Sequence, residues 1–366
     1  MFNLLEKKSV GLDISDYSIE VVSLGGSIKN PRLLSLGRIT LEEGIVENGK
    51  ILNKEKLEKH LKGLIKNPKF GELKTRKIIF SLPESRSFIQ IFKIPSDLKK
   101  EGEEEEIKSQ IAQTIPYPLE ALYFDYKIKE GINFKEILLG AVPKKIVNDY
   151  LEIFKSCQLQ SVILEIESES LARSLIDKKQ KPVLIADIGA RTTNFSVFDE
   201  NGLRLSVSTP IAGNKFTRVL AEKLKISKEE AENLKIKIGL NAKLKKGRIF
   251  LILQKEIYNI IKEINKVFNY FQKKEQKEIT KIILIGGSAN LPCLKDYLSQ
   301  NLEKEVVIGD PWVKINIDIL RKKEYFKKAL EISPILYSTV IGSALRGLIK
   351  KPEEAGLNLL PKGRKL

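Results

Sequence analysis

Asp13 and Asp187 sit half a chain apart in the same local sequence. Each closes a short apolar run, "VGLDI" or "VLIADI", and opens a turn of small and hydroxyl-bearing residues, "SDYS" or "GARTT", before an alternating strand. Alone, the first stretch is a hairpin signal and little more. Its repetition points to two similar lobes, each offering one carboxylate and one tight turn to a shared cleft. Such a turn can aim backbone N–H groups at phosphate oxygens, so a nucleotide-phosphate loop and an ordinary hairpin are both open on these residues. A third turn, Gly286-Gly287-Ser288 after the apolar run "KIILI", is one way to bring backbone close to a ligand, although a Gly-Gly pair after a strand is a weak signal by itself.

Other chemistries are poorly supplied. The only histidine, His60, lies in the lysine-rich helical pattern "KEKLEKHLKGLIK", with no nucleophile motif nearby, so hydrolase triads have a single unsupported base. Cys157 and Cys293 show no CxxC spacing, which argues against a zinc site or a disulfide framework and for a reducing compartment, most simply the cytoplasm. The net charge of +17 suits an anionic partner. Its lysines are dispersed and no nucleic-acid motif accompanies them, so no nucleic-acid partner is expected and membrane contact is at most peripheral. Abundant Lys and Glu with few His, Met and Cys also match proteins of hot environments.

The elements that must position these residues follow from pattern. At 366 residues the chain exceeds one core and should form two lobes. No apolar run approaches the roughly 18 residues of a membrane span, and "MFNLLEKKSVGLD" reads as no signal peptide. Residues 10 to 40 read as a three-strand meander, with a helix near 53–65. From residue 77 the texture changes: two strands broken at Pro83, an acidic helix ended by "IPYP", then two more strands, a block that looks inserted. "SVILEIESESLARSLI" runs from strand into helix, and Ser227 followed by Glu230 is a capping box. The longest helix candidate, about 249–272, carries Leu253, Ile257, Ile260, Ile261, Ile264, Val267, Phe268 and Phe271 as a core stripe. "SPILYSTVIGSALRGLI" is a helix whose Ser338, Gly342 and Ala344 permit close packing.

Taken in order, "GLDISDYS", "EIESESLA", "ADIGARTTN", "IAGNKFT", "AENLK", "LIGGSANLPCL" and "VIGSALRGL" resemble the motifs of the actin-like ATPases. The inserted block, with "LPESRSFIQIFKIP", "IKSQIAQTIPYPLEALYFDYKI" and "LGAVPKKIVNDYLEIFKSCQL", is similar to the FtsA/PilM family within them. The resemblance implies an α/β actin-like ATPase fold, two ribonuclease H-like lobes around a nucleotide cleft with an insertion in the first lobe. Residues 1–76, 144–181 and 333–350 would form the first-lobe core and 77–143 the inserted subdomain. Residues 182–212 and 281–332 would form the second-lobe core, 213–280 its helical subdomain, and 351–366 a C-terminal tail.

The same resemblance implies ATP and Mg²⁺ as cofactors. Asp13 and Asp187 would take the magnesium side, through water, while Ser15, Asp16, Tyr17 and Ser18 form one phosphate hairpin and Gly189, Ala190, Arg191, Thr192 and Thr193 the other. Glu167 falls where related proteins carry an acid that orients the attacking water. Gly213 and Asn214 belong to the glycine turn, Gly286, Gly287 and Ser288 would lie against the adenosine, and Glu232 and Lys235 near the base and ribose. For that last pair an exposed helix ion pair is the competing reading.

Three positions depart from the family pattern. Ser15 and Ala212 stand where glycine is usual, which matters where a positive φ is required. Glu20 stands where lysine is usual and shares a strand face with Ser18; a carboxylate about 4 Å from a phosphate costs roughly 1 to 4 kcal/mol unless a cation intervenes. Slow or absent hydrolysis is therefore expected. The family implies recruitment by the cytoplasmic N-terminus of a PilN-like inner-membrane protein, alongside other pilus platform components and self-association. The chain's own "LNLLP", Leu357, Asn358, Leu359, Leu360 and Pro361, resembles the PilN signature. It is either a tail occupying a PilN groove of its own or a neighbouring molecule, or a disordered or locally packed segment. An FtsA-like cell-division membrane tether and a small-molecule kinase are the alternative readings.

Overall fold

The computed structural model describes residues 7–177, 182–317 and 333–361, and sequence expectations for the other positions lie outside them. The run Val10–Leu12 is buried on both strand faces, as a central strand requires. β1 (Lys8–Ile14) pairs antiparallel with β2 (Ser18–Ser27), and β2 with β3 (Asn30–Thr40). β4 (Val46–Glu47) and β5 (Lys50–Ile51) form a small hairpin through Asn48-Gly49, whose φ values of 46° and 68° fit a two-residue type I′ turn. α1 (Lys54–Lys66) starts on Asn53, whose Oδ1 accepts the Lys56 N–H at 3.0 Å, and buries Leu57, Leu61, Leu64 and Ile65. β6 (Phe70–Gly71) lies at one edge, while β7 (Lys77–Leu82) and later β11 (Gln160–Ile166) add in parallel beyond β1. The sheet order is β11-β7-β1-β2-β3-β6.

Between β7 and β11 comes the block that looked inserted. β8 (Phe88–Pro95), β9 (Leu122–Glu130) and β10 (Phe134–Pro143) form a sheet of their own, order β8-β10-β9. α2 (Lys100–Thr114) stops before Pro116 and packs Ile107 and Ile111 onto Ile94, Ile137 and Leu139. α3 (Lys144–Ser156) lays Tyr150 and Phe154 against Phe80 of β7, with ring centroids 4.8 and 4.9 Å away. α4 (Glu167–Leu175) follows β11.

The second sheet consists of β12 (Val183–Ile188), β13 (Thr193–Asp199), β14 (Gly202–Thr209), β15 (Lys281–Ile285) and β16 (Glu305–Ile308), in the order β14-β13-β12-β15-β16. Three antiparallel strands are followed by two parallel ones, as in β3-β2-β1-β7-β11, so the sequence echo is a repeat of topology. Helices α5 (Gly213–Leu224), α6 (Lys228–Ile238), α7 (Arg248–Glu275) and α8 (Leu294–Leu302) belong with this sheet. Ser227 Oγ accepts the Glu230 N–H at 3.1 Å, and the α7 stripe is buried except for half-buried Phe268.

The chain divides into two compact units. Their described parts are 7–174, 311–317 and 339–361 for the first, and 175–177, 182–310 and 333–338 for the second. Residues 311–317, which the sequence grouping set with the second lobe, go with the first, where the Asn316 N–H donates to Pro31 O at 2.9 Å; residues 175–177 and 333–338, which it set with the first lobe, go with the second. In α9 (Ser338–Leu348) a Cβ on Gly342 would fall 1.9 Å from Ser170 O, so the small residues there let α9 and α4 touch backbone to backbone.

Candidate functional site

In the first unit the turn from β1 to β2 closes with the Ser15 N–H donating to Ser18 O at 2.9 Å; in the second the Gly189 N–H donates to Thr192 O at 3.0 Å. The two turns thus share one geometry. Neither Ser15 nor Gly189 has a positive φ, so serine is accommodated without strain. Its Oγ accepts the Ser18 N–H at 3.1 Å, a bond the side-chain-free Gly189 cannot make. Ala212 likewise costs nothing, because its φ of −157° is ordinary extended backbone.

Asp16 is not a loose side chain of the first turn: its carboxylate accepts the Asn48 and Gly49 N–H groups at 2.9 and 3.1 Å and holds the β4–β5 turn. That turn is also held by Tyr150, whose hydroxyl donates to Gly49 O at 3.0 Å, and by Arg86, whose Nε donates to Asn48 O at 2.5 Å. Nor is Glu20 a bare carboxylate facing the turn. Arg38 Nε donates to its Oε1 at 2.7 Å, which supplies the intervening cation that cancels the expected repulsion. Burial pushes the Glu20 carboxyl up to about 7 against the pull of Arg38 and of the Ser18 hydroxyl.

Glu167 opens α4, and its Oε2 accepts the Glu84 N–H at 3.0 Å; Glu84 Oε2 accepts the Ser168 N–H at 3.2 Å in return. These two acids cap each other's backbone turns. Asp13, Asp16, Glu167 and Arg86 all act on the buried Tyr150 hydroxyl, whose pKa is raised chiefly by burial, so these charges are gathered around one point.

The second unit brings residues from four separate motifs together. Gly213 N–H donates to Gly189 O at 3.1 Å and Asn214 N–H to Ala190 O at 2.7 Å, docking the turn on the start of α5. Ser288 Oγ donates to Gly189 O at 3.1 Å, and a Cβ on Gly213 would lie 2.5 Å from that Oγ. Thr193 Oγ1 donates to Ile211 O at 2.7 Å. Lys235 is 5% exposed; its Nζ donates to Gly213 O and Thr217 Oγ1 at 3.2 and 2.9 Å and pairs with Glu232 at 2.6 Å. Lys235 is thus a buried lysine tied to the glycine turn, while the side chain of its helix ion-pair partner Glu232 is 43% exposed. Gly286 lies directly over Asp187, and Gly287 is open, with no atom within 4 Å of a Cβ there.

These residues fit a nucleotide and a hydrated cation. Gly286 keeps backbone close to Asp187, and Gly213 lets the start of α5 approach Gly189 and Ser288. Among the described residues no group of three or more His, Cys, Asp or Glu is arranged to hold a metal ion directly.

The tail is packed on its own unit. Leu357 and Leu359 are buried, the Leu359 N–H donates to Leu164 O at 2.8 Å, and the Leu164 N–H donates to Asn358 Oδ1 at 3.1 Å, so the segment lines the exposed edge of β11. The Asn358 N–H donates to Asp125 at 2.9 Å, and Leu357 fills the space over Gly140, both in the inserted sheet. Leu360 and Pro361 are half-buried.

The Leu357 N–H donates to Glu169 Oε2 at 2.9 Å. Burial pushes the Glu169 carboxyl up to about 7; Arg346 pulls it down, Glu165 pushes it further up, and Arg173 pulls it down. The folded chain therefore keeps a proton that the unfolded chain releases near pH 4.5. Stability from this group is full below that value and is lost as pH rises through about 7. Between about pH 5 and pH 8, Glu169→Gln should flatten the decline in unfolding free energy by about 3 kcal/mol. Chemical denaturation at several pH values checks this, and parallel curves for the two proteins would refute it.

The duplicated sheets and hairpins, with the inserted three-stranded sheet, define an actin-like ATPase fold. Residues 11–348 match the family described as type IV pilus assembly protein PilM, and the chain belongs to that family. Among solved structures it is similar to a PilM-PilN type IV pilus biogenesis complex, with a TM-score of 0.79 and 19% identity over 93% of this chain and 98% of that one. The ethanolamine utilization protein EutJ from Carboxydothermus hydrogenoformans superposes with a TM-score of 0.57 and 16% identity, covering 92% of this chain and 89% of that one. The cell division protein FtsA of Buchnera aphidicola (subsp. Acyrthosiphon pisum) is 24% identical over 228 residues, 54% of this chain and 52% of that protein. The chain thus spans about half the length of the curated relatives it matches. Among the described residues no helix is long and apolar enough to cross a membrane.

Arg38, Glu84, Arg86 and Tyr150 were not marked in the sequence. Glu84 and Arg86 lie in "LPESR", directly after a strand, which was the one signal available for them.

Proposed function

We propose that this protein is an ATP-binding scaffold of type IV pilus assembly, working at the inner face of the inner membrane and turning ATP over slowly or not at all. The observation that carries the reading is the convergence of Gly189, Gly213, Lys235 and Ser288, from four distant motifs, on one buried cluster. In this reading the 189–193 turn holds phosphate, Glu232 and Lys235 flank base and ribose, Gly286 to Ser288 face the adenosine, and Asp13 and Asp187 hold hydrated Mg²⁺. The ion, when bound, would neutralise phosphate charge. Glu167 is engaged in a backbone cap with Glu84, which favours slow turnover over its use as a free base. Titration with Mg-ATP should show saturable binding, with phosphate release well below about one per second. No binding overturns the reading, and faster release overturns its second half.

The proposed partner is the cytoplasmic N-terminal segment of a PilN-like inner-membrane protein. The seat of the chain's own Leu357–Pro361 segment, an open strand edge plus two apolar positions, is the type of groove an extended peptide uses. The tail and that peptide would compete. Removing residues 358–366, which spares Leu357 and its bond to Arg346, should raise affinity for an "INLLP"-type peptide about tenfold or more, the size of one or two backbone hydrogen bonds. Unchanged affinity rejects competition.

A further inference from the structure

Asp13, Glu20 and Arg38 lie opposite one another on three adjacent strands: Asp13 pairs with Glu20 across β1 and β2, and Glu20 with Arg38 across β2 and β3. Residues in register share one face of a sheet, so the three side chains make a row beginning at Asp13. Within it Arg38 Nε donates to Glu20 Oε1 at 2.7 Å, and the Ser18 hydroxyl of the turn bonds the same carboxylate. The Glu20 side chain is 3% exposed and that of Arg38 20%. The two terminal amino groups of Arg38 take no partner among the described residues.

The second repeat is an internal control. There Asp187 pairs with Asn194, and Asn194 with Ser208, whose Oγ donates to Asn194 Oδ1 at 2.7 Å. The same row is built from a neutral amide and a hydroxyl, so the architecture does not need an ion pair at 20 and 38. Nor is a buried pair a good source of stability, since desolvation offsets the attraction. What the pair does supply is a guanidinium fixed at one nitrogen and open at two, beside the phosphate turn. A planar fork of this kind suits phosphate oxygens.

We propose that Arg38 is the phosphate-binding cation of the first lobe, and that Glu20 is the positioning residue that holds it in the row beside Asp13, toward the polyphosphate of a nucleoside triphosphate. The proposal rests on the ATP-binding reading above. It reverses the sign of Glu20: the acid works through its arginine and favours the anion.

The test is calorimetric titration of the whole chain with Mg-ATP and with adenosine, with thermal unfolding run in parallel. Arg38→Ala and the double variant E20Q/R38A should each bind ATP about 10- to 100-fold more weakly, the size of one or two charge-assisted bonds, with adenosine affinity unchanged. The double variant imitates the neutral row of the second repeat and should fold. E20K/R38A, which returns a cation to the row, should recover most of the ATP affinity. Wild-type ATP affinity in E20Q/R38A overturns the proposal, because Arg38 would then only neutralise Glu20, and it leaves the ATP reading standing. A wild-type protein that binds no ATP overturns both.

Discussion

Replacing Arg346 with methionine is expected to cost about 3–5 kcal/mol of stability, a fall in the unfolding midpoint on the order of 10 °C. Arg346 is fully buried, and so is the carboxylate of Glu165 that its Nη1 meets at 2.8 Å. The same guanidinium donates to Leu357 O, Gly356 O and Pro352 O at 2.8, 3.1 and 2.9 Å. Arg173 holds the other side of Glu165 through two nitrogens, at 3.2 and 2.8 Å. Burial pushes the Glu165 carboxyl up, but the two arginines overcome it and hold it below its ordinary value. Without Arg346 the carboxylate keeps one cation, and three carbonyls, that of Leu357 buried and those of Pro352 and Gly356 part-buried, lose their donor. Arg346→Lys should recover only part of the loss, since a single ammonium cannot span acceptors laid out for a planar fork. R346M/E165Q should be less damaged than R346M, because the buried charge leaves with its partner. Denaturant unfolding with proteolysis of the 352–361 segment reads both effects; a loss under about 1 kcal/mol would contradict the account.

The repeat of strand, acid and turn was legible because each piece is local: apolar runs, a carboxylate and small turn residues follow one another within a few positions. So were the α2 stop at Pro116, the Ser227 cap and the α7 stripe, which depend on neighbours in sequence. Arg38 was not legible, and the reason is specific. From the Ser27–Asn30 turn, a regular ladder would set Gly37 opposite Glu20; a bulge between Leu33 and Ser35 shifts the register and brings Arg38 there. One extra residue thus exchanged a glycine for the cation that decides what Glu20 does. The bonds of the Asp16 carboxylate were hidden for a similar reason, because the amides it accepts come from the turn at residues 48 and 49. The sequence also left the tail open between two states, since the strand edge that takes Leu359 belongs to β11, far away in the chain.

Gly286→Ala should destabilise the second unit by about 3 kcal/mol and strip it of nucleotide binding, whereas Gly287→Ala should leave stability within about 0.5 kcal/mol. Gly286 has φ 80° and ψ 162°, a region that side chains essentially do not enter. A Cβ there would also lie 2.3 Å from Asp187 Oδ1 and 2.6 Å from Ile188 O, and neither backbone nor a strand-end carboxylate can retreat cheaply. The strain and the clash add, and both fall on the acid proposed to face Mg²⁺. Its neighbour has none of these constraints: Gly287 has no positive φ and no atom within 4 Å of an added methyl. The pair therefore separates folding from contact. Gly287→Ala, with stability intact, changes only the surface proposed to meet adenosine, so any loss of affinity there belongs to the ligand. If Gly286→Ala instead keeps wild-type stability, the backbone at this turn is not pinned against Asp187, and the role given to that carboxylate fails with it.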